Sequence, residues 1–112
     1  MTQKTYKGTE LDLEVYQGKS TIDYPIEMLN DDDTAYDLTI YSSLVCKVFY
    51  RQHGEEIVTL TVTNVDNFMY LDATKAQTAA LQTREYFCEI YGILISPLAE
   101  QELLTYGMLK NV

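Results

Sequence analysis

Any chemistry in this chain would have to be built from one histidine, two cysteines and several clustered carboxylates. A serine or cysteine nucleophile needs a base within hydrogen-bond reach. The single histidine, His53, stands beside Gly54 in the charged stretch RQHGEE, which reads as an exposed hairpin loop. Acid–base pairs need one carboxyl group held in an apolar pocket, whereas Asp31, Asp32 and Asp33 are consecutive and Glu55 and Glu56 share a loop. Glu89 is the one carboxylate inside an apolar run. Its neighbours Phe87 and Tyr91 place it on the less buried face of a strand, toward solvent or a partner chain.

Metal and nucleotide patterns fail for stated reasons. Started at Asp31, a calcium loop would put Ala35 at a ligand position, Tyr36 at the obligatory glycine and Ser42 at the bidentate glutamate. NDDDT is therefore a solvated turn. Cys46 and Cys88 lack CxxC partners and read as reduced core thiols. Gly8, Gly18, Gly54, Gly92 and Gly107 are isolated, so no phosphate-cradling loop is present. The expectation is a protein without catalytic residues, metal or cofactor.

The elements that position these residues follow from periodicity. Leu11, Leu13 and Val15 alternate with acidic residues, and Ile22, Tyr24, Ile26 and Met28 alternate with polar ones, the period of half-exposed strands. Pro25 favours an edge or a bulge. Leu44 to Tyr50 and Ile57 to Val65 flank the RQHGEE loop as a hairpin with a threonine-lined outer face, and Phe68 to Leu71 adds a short run. Asp72 is placed to cap a short helix over about residues 73–81. Arg84 to Leu98 combines aromatic and β-branched residues with hardly any charge, the composition of a central strand. A last strand follows Glu102, with Gly107 at a bulge or close contact. The pattern predicts an all-β protein: a two-layer antiparallel sandwich, which the resemblance given below makes immunoglobulin-like, with one short helix, residues 1–8 forming a flexible arm and 9–112 a single domain.

The chain has 112 residues and a formal charge of -9, from 17 acidic against 8 basic side chains. That balance argues against nucleic acid and anionic membranes as partners. The amino terminus has no apolar signal region, and no stretch approaches the roughly 18 apolar residues of a membrane span. Ten tyrosines and no tryptophan supply amphipathic rings suited to interfaces.

Two resemblances attach to these residues. Tyr86 stands two positions before Cys88, similar to the tyrosine corner of immunoglobulin folds, although tryptophan is absent. From about Leu13 onward the chain also resembles the small β-sandwich domains of tailed-phage virion proteins, notably the amino-terminal domain of baseplate upper proteins. The likeness rests on Gly18 to Ser20, the Asp37-Leu38-Thr39 segment after an acidic turn, VCKVFYR, the Thr74, Gln77 and Leu81 spacing, Tyr86 with Ile90, and Leu103, Leu104 and Gly107. Arg84, Cys88 and Ile40 depart from the family pattern.

This resemblance implies a virion structural protein, made in the host cytoplasm, present in many copies or as a homo-oligomer and docking on other virion proteins as capsid decoration, head fibre, neck or baseplate component. The candidate interface is Tyr6, Tyr16, Tyr41 and the acidic Asp31, Asp32 and Asp33. Tyr86, Cys88 and Gly107 are expected to be structural. The alternative is an immunoglobulin-like ligand- or carbohydrate-binding module, which would need several aromatic rings on one exposed sheet face.

Overall fold

The computed structural model describes residues 3–15, 26–52, 54–72, 85–95 and 100–111. Where the sequence alternates, strands form and the alternation decides what is buried. In β4 (Tyr41–Phe49) Leu44, Cys46 and Val48 point inward, while Val45, Lys47 and Phe49 lie on the outer face. β5 (Glu56–Val65) answers with Leu60 and Val62 inside and Thr59, Thr61 and Thr63 exposed, in a register that sets Cys46 against Leu60 and Leu44 against Val62. β7 (Glu85–Leu94) lies on the other side of β4 and buries Tyr86, Cys88 and Ile90.

The remaining strands are β1 (Gln3–Tyr6), β2 (Thr9–Val15), β3 (Ile26–Leu29), β6 (Phe68–Asp72) and β8 (Gln101–Asn111). All eight belong to one sheet, ordered β1-β3-β6-β5-β4-β7-β8-β2. The protein is all-β, but the expected pair of antiparallel layers is replaced by a single barrel-like sheet. Two of its pairings are parallel, β1 with β3 and β2 with β8. The helix expected over 73–81 lies outside the described residues. No helix is long and apolar enough to cross a membrane among the described residues.

The amino-terminal segment, expected as a flexible arm, supplies β1 and joins the two ends of the strand order. β1 and β2 occupy the two ends of the strand order yet follow one another in the chain, joined by Lys7 and Gly8. Gly8 takes a φ of 80°, with nothing within 4 Å of the position a Cβ would occupy. Backbone conformation, not space, is what calls for glycine here. Its N–H donates to the Leu104 carbonyl at 2.7 Å. Buried Thr105 donates through Oγ1 to the Thr9 carbonyl at 2.6 Å, and its hydroxyl meets that of buried Thr5 at 3.3 Å. Hydroxyl groups thus satisfy one another where the sheet ends meet, as buried polar atoms require.

Two bulges reset the alternation. The β4–β7 register shifts between Tyr41 and Ser43, which turns Tyr41 inward, to 7% exposure. The β7–β8 register shifts between Ile90 and Tyr91, and Leu104 and Thr105 are consequently both fully buried. Gly107, a candidate bulge, instead sits in register between Cys88 and Leu11 and is buried, in keeping with close packing. Gly92 is demanded by its neighbour: a Cβ there would lie 2.5 Å from Cδ1 of the Tyr41 ring.

Candidate docking surface

The registers bring the start of β4, the ends of β5 and β7 and the start of β8 to one end of the barrel, since Tyr41 pairs with Leu94 and Ile93 with Gln101. The β3 end and the turn after it join them, because Met28 N–H donates to the Asn67 carbonyl in the β5–β6 turn.

That turn is built by its own polar side chains. Asp32 accepts from the Thr34 hydroxyl at 2.6 Å and from its N–H at 3.2 Å, and both bonds hold the carboxyl below its ordinary range. Asn30 donates through Nδ2 to the Thr34 hydroxyl and to the Ala35 carbonyl. Asp33 adopts a φ of 67°, a conformation that Asp tolerates better than most residues. Its carboxylate accepts from the Tyr6 hydroxyl, which raises the Tyr6 pKa, chiefly through that hydrogen bond. Asp37 repeats the capping pattern with Thr39, at 2.6 Å from the hydroxyl and 2.9 Å from the N–H, and is likewise shifted down.

Beneath the turn lies a network of four side chains. Glu102 on β8 accepts from the Tyr41 hydroxyl at 2.8 Å and pairs with Lys7 at the β1–β2 corner. The Tyr36 and Tyr41 hydroxyls are 2.7 Å apart, and their rings stack at 6.5 Å. Lys7 and then Tyr41 hold the Glu102 carboxyl below its usual range. The same ion pair raises Lys7, and burial above all raises the Tyr41 hydroxyl, so that it stays neutral. This network fastens the amino-terminal corner to β8 and to the loop before β4.

On this scaffold two isoleucines are left uncovered. Ile40 is 42% exposed and Ile95 60%, and they adjoin, with Ile95 N–H donating to the Ile40 carbonyl at 3.2 Å. Val65, at the end of β5, is also largely exposed. Asp31, Asp32, Asp33, Asp37 and Asp66 occupy the loops and turns of the same end.

Of the residues proposed from sequence as an interface, Tyr6, Asp31, Asp32 and Asp33 therefore meet at this end. Tyr41 is there too but is a core residue, turned inward by the bulge, so its place in an exposed interface is corrected. Tyr16 lies outside the described residues. Tyr86 and Cys88 are buried, and Cys46 and Cys88 are free thiols on adjacent strands. The Cys46 thiol is pushed well up by its hydrogen bond to Cys88 and by burial. Glu89 is half-buried on the outer face, opposite Lys47, and accepts from the Tyr91 hydroxyl at 3.0 Å.

Sequence reasoning missed Ile40 and Ile95. The signal was a β-branched apolar residue at each flank of a strand, beside turn residues, where a covered core position is not available. Among the described residues no group of three or more His, Cys, Asp or Glu is placed to hold a metal. No family model matches the chain, and comparison with curated proteins likewise finds no match.

Proposed function

We propose that this protein is a non-enzymatic structural component of a tailed-phage virion, docking through the acid-rimmed aliphatic end of its barrel. The observation that carries the docking surface is the adjoining, uncovered Ile40 and Ile95 on a rigidly braced end. The virion setting is supported by the sequence resemblance. The partner surface has a shallow apolar socket edged by Lys or Arg, complementary to Asp31, Asp33, Asp37 and Asp66.

The size of the patch says how it works. Fully burying an isoleucine contributes about 1.5–3 kcal/mol, and roughly half of each is already covered, so the pair adds only about 1.5–3 kcal/mol. Micromolar binding needs about 8 kcal/mol. Docking through this end therefore acts in many copies on a symmetric particle, where linked weak contacts multiply.

The test is co-sedimentation of the purified chain with phage particles assembled without it, alongside light-scattering mass. Wild type is expected to sediment with the particles, less so as salt rises, and Ile40→Asp/Ile95→Asp to remain in solution. A chain that neither self-associates nor binds those particles overturns the proposal.

A further inference from the structure

The opposite end of the barrel carries a different surface, independent of the docking end. Here β4 finishes, β7 begins and β8 ends, with Phe49 paired to Phe87 and Phe87 to Met108. Phe87 points to the outer face yet is only 8% exposed, because neighbouring rings flank it. Phe49 and Tyr106 lie on either side with ring centroids 6.2 Å away in each case. Tyr50, 52% exposed, stands at the rim. Several aromatic rings thus share one outer sheet face.

Between the hairpin residues and β8 this face opens into a cleft of about 220 Å³, lined by Glu10, Tyr50, Arg51, Gln52, Phe87 and Tyr106 among others. At roughly 30 Å³ per water it holds about seven waters, room for one six-membered ring. The side chains of Glu10, Arg51 and Gln52 and the Tyr106 hydroxyl make no hydrogen bond or ion pair among the described residues. An aromatic floor therefore meets polar groups with unspent hydrogen-bonding capacity.

The lining discriminates among ligand classes. A purely apolar ring would strip water from Arg51, Gln52 and Glu10 without replacing it, which is costly. An anion meets Glu10 and a chain of net charge -9, and a cation meets Arg51. What suits both floor and rim is an uncharged ring with an apolar C–H face and a hydroxylated edge. We propose that this cleft binds a single neutral sugar ring, stacked on Tyr106, which Phe87 backs from beneath, and hydrogen-bonded at its edge by Arg51, Gln52 and Glu10. Affinity for so small and open a site falls in the millimolar range.

The experiment is an amide chemical-shift titration of the full chain with methyl glucoside, methyl galactoside, methyl mannoside and N-acetylglucosamine, each to about 50 mM. Cyclohexanol and glucuronate serve as apolar and anionic controls. At least one neutral sugar is expected to shift signals of Gln52, Phe87 and Tyr106 saturably, with both controls at least tenfold weaker. Arg51→Ala and Tyr106→Leu are expected to weaken that response at least tenfold while leaving the rest of the spectrum folded. Ile40→Asp/Ile95→Asp should leave it unchanged, which separates this site from the docking end. The assignment is overturned if no neutral sugar shifts these signals, if a control matches the sugars, or if the response survives both cleft substitutions.

Discussion

Replacing Gly92 by alanine tests the packing that braces the docking end. The added Cβ would lie 2.5, 2.6 and 2.7 Å from three atoms of the Tyr41 ring, all well inside van der Waals contact. The ring has no free direction of retreat: it is 7% exposed, and its hydroxyl is bonded to Tyr36 and Glu102. Overpacking of this kind costs about 1–3 kcal/mol, and each neutral hydrogen bond broken by a shifted ring adds about 1 kcal/mol. Against this, loss of glycine's unfolded-state freedom returns about 0.5–1 kcal/mol. The expected net destabilisation is about 2–3 kcal/mol, read as a fall in denaturant midpoint at unchanged m-value and a drop in Tm of roughly 10 °C or more. The decisive measurement is a double-mutant cycle with Tyr41→Ala. With the ring gone, Gly92→Ala should cost less than about 0.5 kcal/mol or even stabilise. If the alanine costs as much without the ring as with it, the contact with Tyr41 is not its cause.

Three further outcomes are expected. Glu102 has a folded pKa below its unfolded value, so the stability it contributes is complete above about pH 4.5 and is lost as pH falls through the folded value. Lys7 and Tyr41 are shifted up, so their contributions hold below about pH 10 and are lost above it. Glu102→Gln should cost at most about 1 kcal/mol at neutral pH, since the ion pair is solvent-screened, and flatten the acid limb of urea-measured stability; an unchanged acid limb contradicts the role given to this carboxylate. Thr105→Val should cost about 1–3 kcal/mol by stranding the Thr9 carbonyl and speed amide exchange at Gly8 and in β1; unaltered exchange there would mean that Thr105 does not fasten the corner. Finally, Cys46 and Cys88 should resist a thiol-specific disulfide reagent until the chain is unfolded, and rapid stoichiometric labelling of the native protein would contradict their burial.

What could be read from the sequence depended on how local its cause was. Leu44, Cys46 and Val48 against Lys47 and Phe49 gave away β4 because half-burial writes itself directly into a period of two. β1 left no such trace: Gln3 to Tyr6 is polar, and it forms a strand because β3 and the Thr5–Thr105 contact supply partners from far along the chain. The parallel β2–β8 pairing is equally non-local, which is why an antiparallel sandwich was the natural expectation. The burial of Tyr41 is not legible, because the extra residue beside it, which inverts its side-chain direction, has no sequence marker of its own. The acidic turn was legible from Asn and Asp alone. Its nearness to Ile95 was not, since that follows from the β4–β7 register.

The corner at Lys7 and Gly8 also sets an order of events during synthesis. Thr9 finds its partner at Thr105, 96 residues later. At about 5–20 residues per second, β2 waits roughly 5–20 s before its seat exists. β5 and β6 pair with the strand made just before them, and β7 returns to β4 from roughly 40–50 residues on, so none of these waits for β8, whereas distant contacts of the β2–β8 kind slow folding. β2 is thus installed late: β1 can pair with β3 as soon as that strand is made, but until β8 emerges the sheet stays open with β2 unplaced.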